Sequence, residues 1–191
     1  MAKELKKQTA GQAPDPHAAS KELYDWILCL LFALIVCVLL FAFVIHVIDV
    51  VGTSMVPTLH NGDRLLVSDL FYEPARGDIV VFQKDSYDSN KALVKRVIAV
   101  EGDVVNIDFD NGIVYVNGEA VEEDYLAVST NTKLDFIGPQ TVPANCLFVM
   151  GDNRNASTDS RDKRIGMVDK RLVIGKALLV VYPFDNFGLV E

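Results

Sequence analysis

A serine in the first third of the chain is the first residue that could carry chemistry. Ser54 lies in the stretch VGTSMVPTLHNGD, residues 51–63, a few residues after a long apolar run. Its hydroxyl has two interpretations: a polar group that stabilises a turn, or a nucleophile held against a membrane surface. The second interpretation requires a neighbouring group that accepts the hydroxyl proton.

Histidine is the usual base for a serine nucleophile, but the three histidines of this chain are poorly placed. His17 lies on the other side of the apolar run, and His46 lies at its end. His60 is in the polar turn LHNGD, where we expect water to solvate it. A Ser-His-Asp triad therefore has little support, and Cys146 has no convincing histidine partner for a Cys-His pair.

Lysine provides a different base. In ALVKRVIAV, residues 92–100, Lys95 and Arg96 interrupt an apolar run. Strand alternation places Lys95 on the face of Leu93 and Val97, and Arg96 on the opposite face. Desolvation by such neighbours lowers a lysine pKa, and a base near neutral pH needs a decrease of roughly 2–3 units from about 10.4. The competing interpretation is a surface lysine that protects an edge strand from aggregation.

A dense polar segment, MGDNRNASTDSRDKR at residues 150–164, follows the apolar run CLFVM. Its Gly, Asp and Asn are typical of a tight turn. Ser157, Asp159, Ser160 and Arg161 then follow with polar groups suited to hydrogen bonding. One interpretation is a loop stabilised by an Asp-Arg pair. The other is a layer of polar groups that orients Lys95.

The elements that must position these residues begin with an apolar segment. Residues 26–45 contain no charge and no amide, which is enough to cross about 30 Å of hydrocarbon. A core helix would show a polar stripe, and a cleavable signal peptide would be shorter and end at small residues. We therefore predict a disordered cytoplasmic tail over 1–20, a transmembrane helix over 21–47 and an extracytoplasmic β-rich domain over 48–191.

The distribution of charge predicts the orientation of this span. Lys3, Lys6, Lys7 and Lys21 precede it, and Arg64 is the first lysine or arginine after it. The positive-inside rule then places the N-terminus in the cytoplasm. A net charge of −8 without a basic stripe argues against nucleic-acid binding. The absence of a cysteine cluster argues against zinc, and no metal or organic cofactor is implied.

After the span, the hydrophobic pattern changes to short β-branched runs separated by turn signals. Asn117-Gly118 is a hairpin signal, because both central positions of a type I′ turn need positive φ. The pattern predicts a mainly β fold: a compact antiparallel, barrel-like domain preceded by one transmembrane helix. The runs are DRLLV, DIVVF, ALVKRVIAV, VVNIDF, IVYV, CLFVM and KALLVVY.

Four motifs in this order, GTSMVPTL, RGDIVVF, LVKRVIAVEGD and GDNRNASTDSR, resemble those of the type I signal peptidases (leader peptidases). The resemblance covers most of the chain. It implies a membrane-anchored serine endopeptidase that removes signal peptides from exported preproteins through an acyl-enzyme. Ser54 would be the nucleophile and Lys95 the general base. Ser157 would hydrogen bond the Lys95 amine, and Asp159 would form a supporting ion pair with Arg161.

The resemblance also implies the partners and location. The substrates would be preproteins with small residues at −1 and −3, bound as an extended strand. The lipid bilayer would be the second partner, and the bacterial cytoplasmic membrane the location. The candidate pocket walls are aliphatic residues near the two motifs that carry the dyad: Ile48, Val50, Met55, Leu59, Leu93 and Val94.

The chain departs from some members of the family at Gly52, where they carry a serine whose hydroxyl joins the oxyanion hole. The hole would then use the Ser54 backbone N–H and another donor. Arg96, Asp152 and Arg154 occupy motif positions that we interpret as structural. Two alternatives stay open: a dedicated peptidase of one secreted or surface-fibre system, and a non-enzymatic anchored binding domain. The binding domain predicts that Ser54→Ala leaves function intact.

Overall fold

The computed structural model describes residues 18–43, 45–84 and 91–190. The chain divides into two compact units, with the boundary between Phe41 and Ala42. Most of the predicted cytoplasmic tail, residues 1–17, lies outside the described residues.

One α-helix, α1 (Ala18–Phe43), begins the described chain. Its stretch Ser20–Leu39 is long and apolar enough to cross a membrane. The predicted limits of 21–47 were wrong at both ends. Residues 18–20 are helical rather than tail. The last predicted turn is instead strand β1 (Ile45–Asp49), because its backbone pairs in antiparallel register with β2 (Arg64–Ser68).

The described part of the second unit contains ten further strands and three short 3₁₀ helices. The 3₁₀ helices span Arg154–Ala156, Lys170–Leu172 and Phe184–Asn186. The strands are β3 (Ile79–Gln83), β4 (Ala92–Val100), β5 (Val104–Asp108), β6 (Ile113–Val116), β7 (Glu119–Ala120), β8 (Gln140–Thr141), β9 (Cys146–Met150), β10 (Val168–Asp169), β11 (Val173–Tyr182) and β12 (Gly188–Leu189).

These strands form two antiparallel sheets. The larger follows the order β1-β2-β11-β3-β4-β9-β10, with β12 paired to β11. The register of β11 on β2 shifts twice, between Ala177 and Leu179 and between Val180 and Tyr182, and such bulges increase the bend and twist of a strand. The smaller sheet follows the order β7-β6-β5-β8. The predicted mainly β, antiparallel, barrel-like fold is confirmed.

The sequence pattern located the strands well. Each of the seven β-branched runs forms a strand, and ALVKRVIAV coincides with β4. The predicted hairpin is also confirmed, because Val116 pairs with Glu119 around Asn117 and Gly118. These two residues have φ values of 56° and 86°, as a type I′ turn requires.

Candidate active site

Ser54 lies in the connection between β1 and β2, which folds back on itself. The Val50 N–H donates to the Asp63 carbonyl (2.8 Å), and the Gly62 N–H donates to the Val50 carbonyl (2.9 Å). Gly52 has a φ of +96°, which glycine adopts without strain, and its N–H donates to Asn61 Oδ1 (2.8 Å). The turn that carries the hydroxyl is therefore closed by its own hydrogen bonds.

Two apolar side chains anchor this turn to the interior. Met55 and Leu59 are each 1% exposed and belong to a core cluster with Leu65, Val67 and Val81. Burying side chains of this size stabilises a fold by about 1.5–3 kcal/mol each. Leu59, predicted as a pocket wall, packs in this core and is not among the residues that line the cavity beside Ser54 and Lys95.

Lys95 lies in the middle of the larger sheet. Its strand, β4, is flanked by β3 and β9, and Lys95 pairs with Val80 in register. The residue is only 3% exposed. The interpretation as a surface lysine on an edge strand was therefore wrong, since β4 has a neighbour on both sides.

The two candidate catalytic side chains meet. Lys95 Nζ lies 2.7 Å from Ser54 Oγ and donates to the Val94 carbonyl at 2.9 Å. Burial lowers the pKa of Lys95 to about 8, while Asp159 and then Asp152 oppose this shift. Burial acts this way because it disfavours the charged ammonium. At this pKa about a tenth of the amine is neutral at pH 7, and the neutral form can accept a proton from a hydroxyl at this distance.

The polar segment after β9 holds the Ser54 turn from behind. The Asn153 N–H donates to the Ser54 carbonyl (2.9 Å), and Asn153 Nδ2 donates to the Thr53 carbonyl (3.1 Å). Gly151 lies so close that a Cβ there would clash with the Ser54 carbonyl oxygen and with Ser157. Any larger residue at position 151 would therefore displace the nucleophile.

The predicted hydrogen bond from Ser157 to Lys95 is absent, which corrects that expectation. Ser157 Oγ is buried and has no hydrogen-bond partner among the described residues. The side chain packs against Gly151 instead. Lys95 Nζ has its contacts with Ser54 Oγ and the Val94 carbonyl.

Two buried ion pairs surround the dyad. Asp159 and Arg161 are paired as expected, with Nη2 and Oδ2 2.8 Å apart and neither side chain exposed. Asp159 Oδ2 also accepts the Gly151 N–H (3.0 Å). Arg96 makes two hydrogen bonds to Asp152, at 2.9 and 2.8 Å. The pairs thus bracket the segment that contacts Ser54.

Asp152 also links the nucleophile turn to the lysine strand. Its Oδ2 accepts the Thr58 hydroxyl at 2.5 Å, and the same carboxylate binds Arg96, the neighbour of Lys95. Sequence reasoning missed Thr58 and Asn153, although both lie in the motifs quoted for the family. Their short polar side chains beside turn residues were the available signal.

A cavity of about 220 Å³ opens beside the dyad. Of the residues predicted for the site, it is lined by Val50, Gly52, Met55, Leu93 and Val94 as well as by the dyad. Ile48 is not among its lining residues, and its side chain packs against the core. The prediction missed five small or β-branched residues that complete the lining: Val51, Thr53, Ala92, Ala156 and Thr158.

Within residues 18–43, 45–84 and 91–190, no group of three or more His, Cys, Asp or Glu side chains is arranged to hold a metal ion. A hydroxyl beside a desolvated amine, next to a cavity, is the arrangement of a serine hydrolase that uses lysine as its base.

Comparison with known proteins narrows this class. The family model described as "Signal peptidase, peptidase S26" matches residues 23–182. A signal peptidase I from Bacillus licheniformis is 40% identical over 175 residues, covering 86% of this chain and 91% of that protein. Signal peptidase I S from Bacillus subtilis (strain 168) is 37% identical over 179 residues, covering 87% and 92%.

A crystal structure of a signal peptidase I from Enterococcus faecalis V583 is similar at 32% sequence identity, with a TM-score of 0.45. The structural alignment covers 55% of this chain and 97% of the Enterococcus chain. The chain belongs to the signal peptidase I family, peptidase S26. It is thus a serine peptidase whose family removes signal peptides from exported preproteins, and the non-enzymatic alternative is set aside. The apolar helix and the bacterial relatives together support membrane anchoring.

Proposed function

We propose that this chain cleaves signal peptides with a Ser54–Lys95 dyad through an acyl-enzyme. The observation that carries the proposal is the 2.7 Å separation between Ser54 Oγ and a buried Lys95 Nζ. A neutral amine at that distance removes the hydroxyl proton as the oxygen attacks. The lowered pKa of Lys95, about 8, supplies the neutral form.

The reaction then proceeds in two halves. Lys95 takes the Ser54 proton, Oγ bonds to the scissile carbonyl carbon, and the protonated lysine gives that proton to the leaving amine as the C–N bond breaks. A water molecule then gives a proton to Lys95 and attacks the ester. The C–Oγ bond breaks, and Lys95 returns the proton to Ser54 Oγ. The Ser54 backbone N–H, with a second donor, would stabilise the oxyanion.

The cavity beside the dyad would bind the residues that precede the cleavage site. An extended substrate strand aligns main-chain hydrogen bonds and places alternate side chains in pockets. The β-branched walls supplied by Val50 and Val51 and the neighbouring Leu93 restrict the space beside Ser54. This is consistent with a preference for small residues at −1 and −3.

We place the enzyme in the bacterial cytoplasmic membrane, as a single-pass protein with its N-terminus in the cytoplasm and its catalytic domain on the outer face. The charge distribution carries the orientation: lysines precede the span, and the first lysine or arginine after it is Arg64. A bilayer that holds both enzyme and preprotein would bring the cleavage site to Ser54 by diffusion in two dimensions.

The test uses the full-length protein in detergent with a preprotein that carries an Ala-x-Ala site. Mass spectrometry locates the cut with the wild type, Ser54→Ala and Lys95→Met. The control is Lys91→Met, which alters the exposed lysine directly before β4, the strand that carries Lys95. Cleavage directly after the second Ala, lost in the first two variants and kept in the control, is the expected result. Cleavage by either dyad variant at the wild-type rate would contradict the proposal.

A panel of preproteins run in the same assay separates a general peptidase from a dedicated one. Cleavage of many members identifies a general enzyme. Cleavage of a single member identifies the dedicated alternative, such as one serving a surface-fibre system.

A further inference from the structure

The loop between β7 and β8 contacts the catalytic region without reaching the substrate cavity. None of the residues that line the cavity belongs to residues 121–139. Two side chains of this loop, Glu123 and Tyr125, are nevertheless directed at the two segments that hold the dyad. The first contacts the segment behind Ser54, and the second contacts the strand that carries Lys95.

Glu123 binds Arg154 in the segment behind Ser54. Arg154 Nη1 donates to Glu123 Oε2 at 2.9 Å, and Nη2 donates to Oε1. Thr130, from the same loop, accepts a further hydrogen bond from Nη1 at 2.8 Å. The Arg154 side chain is completely buried and that of Glu123 is 9% exposed. A buried pair of this kind holds a fixed geometry, because an unpaired partner would be strongly destabilised.

Arg154 transmits this restraint to the nucleophile. Its Nε donates to the Gly151 carbonyl at 3.1 Å. Gly151 lies directly against the Ser54 carbonyl, and Asn153, one residue before Arg154, donates its N–H to that same carbonyl at 2.9 Å. Three consecutive contacts therefore join Glu123 to the backbone of Ser54.

Tyr125 holds the other half of the dyad. The Arg96 guanidinium carbon lies 3.9 Å from the centroid of the Tyr125 ring, within the range of a cation–π contact. Arg96 follows Lys95 in β4 and binds Asp152. The ring thus covers the ion pair beside the catalytic lysine.

We infer that Glu123 and Tyr125 are positioning residues that hold Ser54 and Lys95 at reacting distance, an inference that rests on the proposed dyad. Neither side chain lines the substrate cavity, so their replacement should slow the chemical step and leave substrate binding unchanged. Misplacement of reacting groups by about 1 Å slows a reaction by about 100-fold. The small sheet would then act as a support for the active site.

The first test compares Glu123→Gln with Glu122→Gln, which removes the same charge from the exposed neighbour on the same loop. For Glu123→Gln we expect kcat to fall about 10- to 100-fold with KM within about twofold of the wild type. For Glu122→Gln we expect no change. Tyr125→Leu should show the same decrease in kcat at constant KM. Wild-type kcat in Glu123→Gln and Tyr125→Leu would overturn the inference.

A double variant, Glu123→Leu with Arg154→Met, separates positioning from stability alone. Replacing a buried ion pair by apolar residues often restores stability, but it leaves the Gly151 carbonyl without its Arg154 donor. We expect a wild-type melting temperature together with the low kcat of Glu123→Gln. Recovery of both melting temperature and kcat would show that the pair contributes stability only, and would overturn the inference.

Ser54→Ala and Lys95→Met are assayed beside these variants. If either dyad variant stays active, the proposed function fails. If both are inactive while Glu123→Gln and Tyr125→Leu match the wild type, only the positioning inference fails.

Discussion

Buried cations have two different environments in this protein. Arg96, Arg154 and Arg161 are each at most 3% exposed, and each forms an ion pair with a carboxylate. Lys95 is equally buried, but it contacts the Ser54 hydroxyl and the Val94 carbonyl. No carboxylate among the described residues lies within ion-pair distance of its amine.

The difference between these environments distinguishes cations that fix the structure from a cation that can act as a base. A paired guanidinium keeps its charge and fixes the segments it joins. An unpaired buried amine loses its charge more easily, which is what a base requires. Asp159 and Asp152 raise the pKa of Lys95, but less than burial lowers it. These carboxylates are bound to Arg161 and Arg96, so they do not bind the lysine directly.

The largest effect on activity is expected when the Lys95 amine is replaced by a permanently charged guanidinium like those of the buried arginines. Lys95→Arg keeps a cation at this position but removes the possibility of a neutral base, because arginine stays protonated. We expect kcat/KM to fall by about 10⁴-fold, measured by preprotein cleavage. The control Lys91→Arg should retain full activity. More than a tenth of wild-type activity in Lys95→Arg would contradict the role of Lys95 as base.

The second effect, on stability, is expected when one of the buried arginine–carboxylate pairs is broken. In Asp159→Asn, an amide N–H₂ replaces one of two oxygens that both accept hydrogen bonds, from Arg161 Nε and Nη2 and from the Gly151 N–H. Removing one partner of a buried pair destabilises a fold by about 3–5 kcal/mol. We expect a loss of this size in urea unfolding.

A matched control lies on the surface of the same domain. Asp169 and Arg171 have the same Asp-x-Arg spacing and the same pattern of hydrogen bonds, but the Arg171 side chain is 87% exposed. Solvent screens such a pair, so Asp169→Asn should change stability far less. Equal losses in the two variants would show that burial does not decide the effect.

A third, smaller effect concerns how the charge of Lys95 changes the stability of the fold. The pKa of Lys95 is about 8 in the folded state, against 10.5 for a lysine side chain in water. Between these values the unfolded chain binds more protons, so stability rises with pH. Below pH 8 the buried ammonium destabilises the fold by about 3 kcal/mol.

Lys95→Met removes that destabilisation, so the variant should be more stable than the wild type at pH 7. The gain should shrink as the pH approaches 10.5, where the lysine is neutral in both states. Urea unfolding of both proteins at pH 7 and pH 10 measures this. An equal gain in stability at both pH values would show that packing, rather than charge, causes the gain.

The sequence was informative where short-range patterns decide the structure. Alternation and the Asn-Gly turn predicted β4 and the β6–β7 hairpin, and apolar neighbours predicted a desolvated Lys95. The pattern failed for residues 45–47, where an apolar continuation of the helix is indistinguishable from a strand until its pairing with β2 is known.

Contacts between distant segments were beyond a single sequence. Glu123 reaches Arg154 across thirty-one positions, and nothing in the loop indicates this partner. The Ser157 hydrogen bond was expected from the family resemblance, but the side chain packs against Gly151 instead. The positions of Ile48 and Leu59 likewise depend on the shape of the core.

The pH dependence of kcat/KM tests the central claim most directly, since it reports the ionisation of the free enzyme. If buried Lys95 is the base, kcat/KM should rise with pH to a plateau, with a midpoint near pH 8, and fall tenfold per pH unit below it. A midpoint near 10.5 would mean that the lysine is not desolvated. A profile that is flat from pH 6 to 9 would contradict lysine as the base.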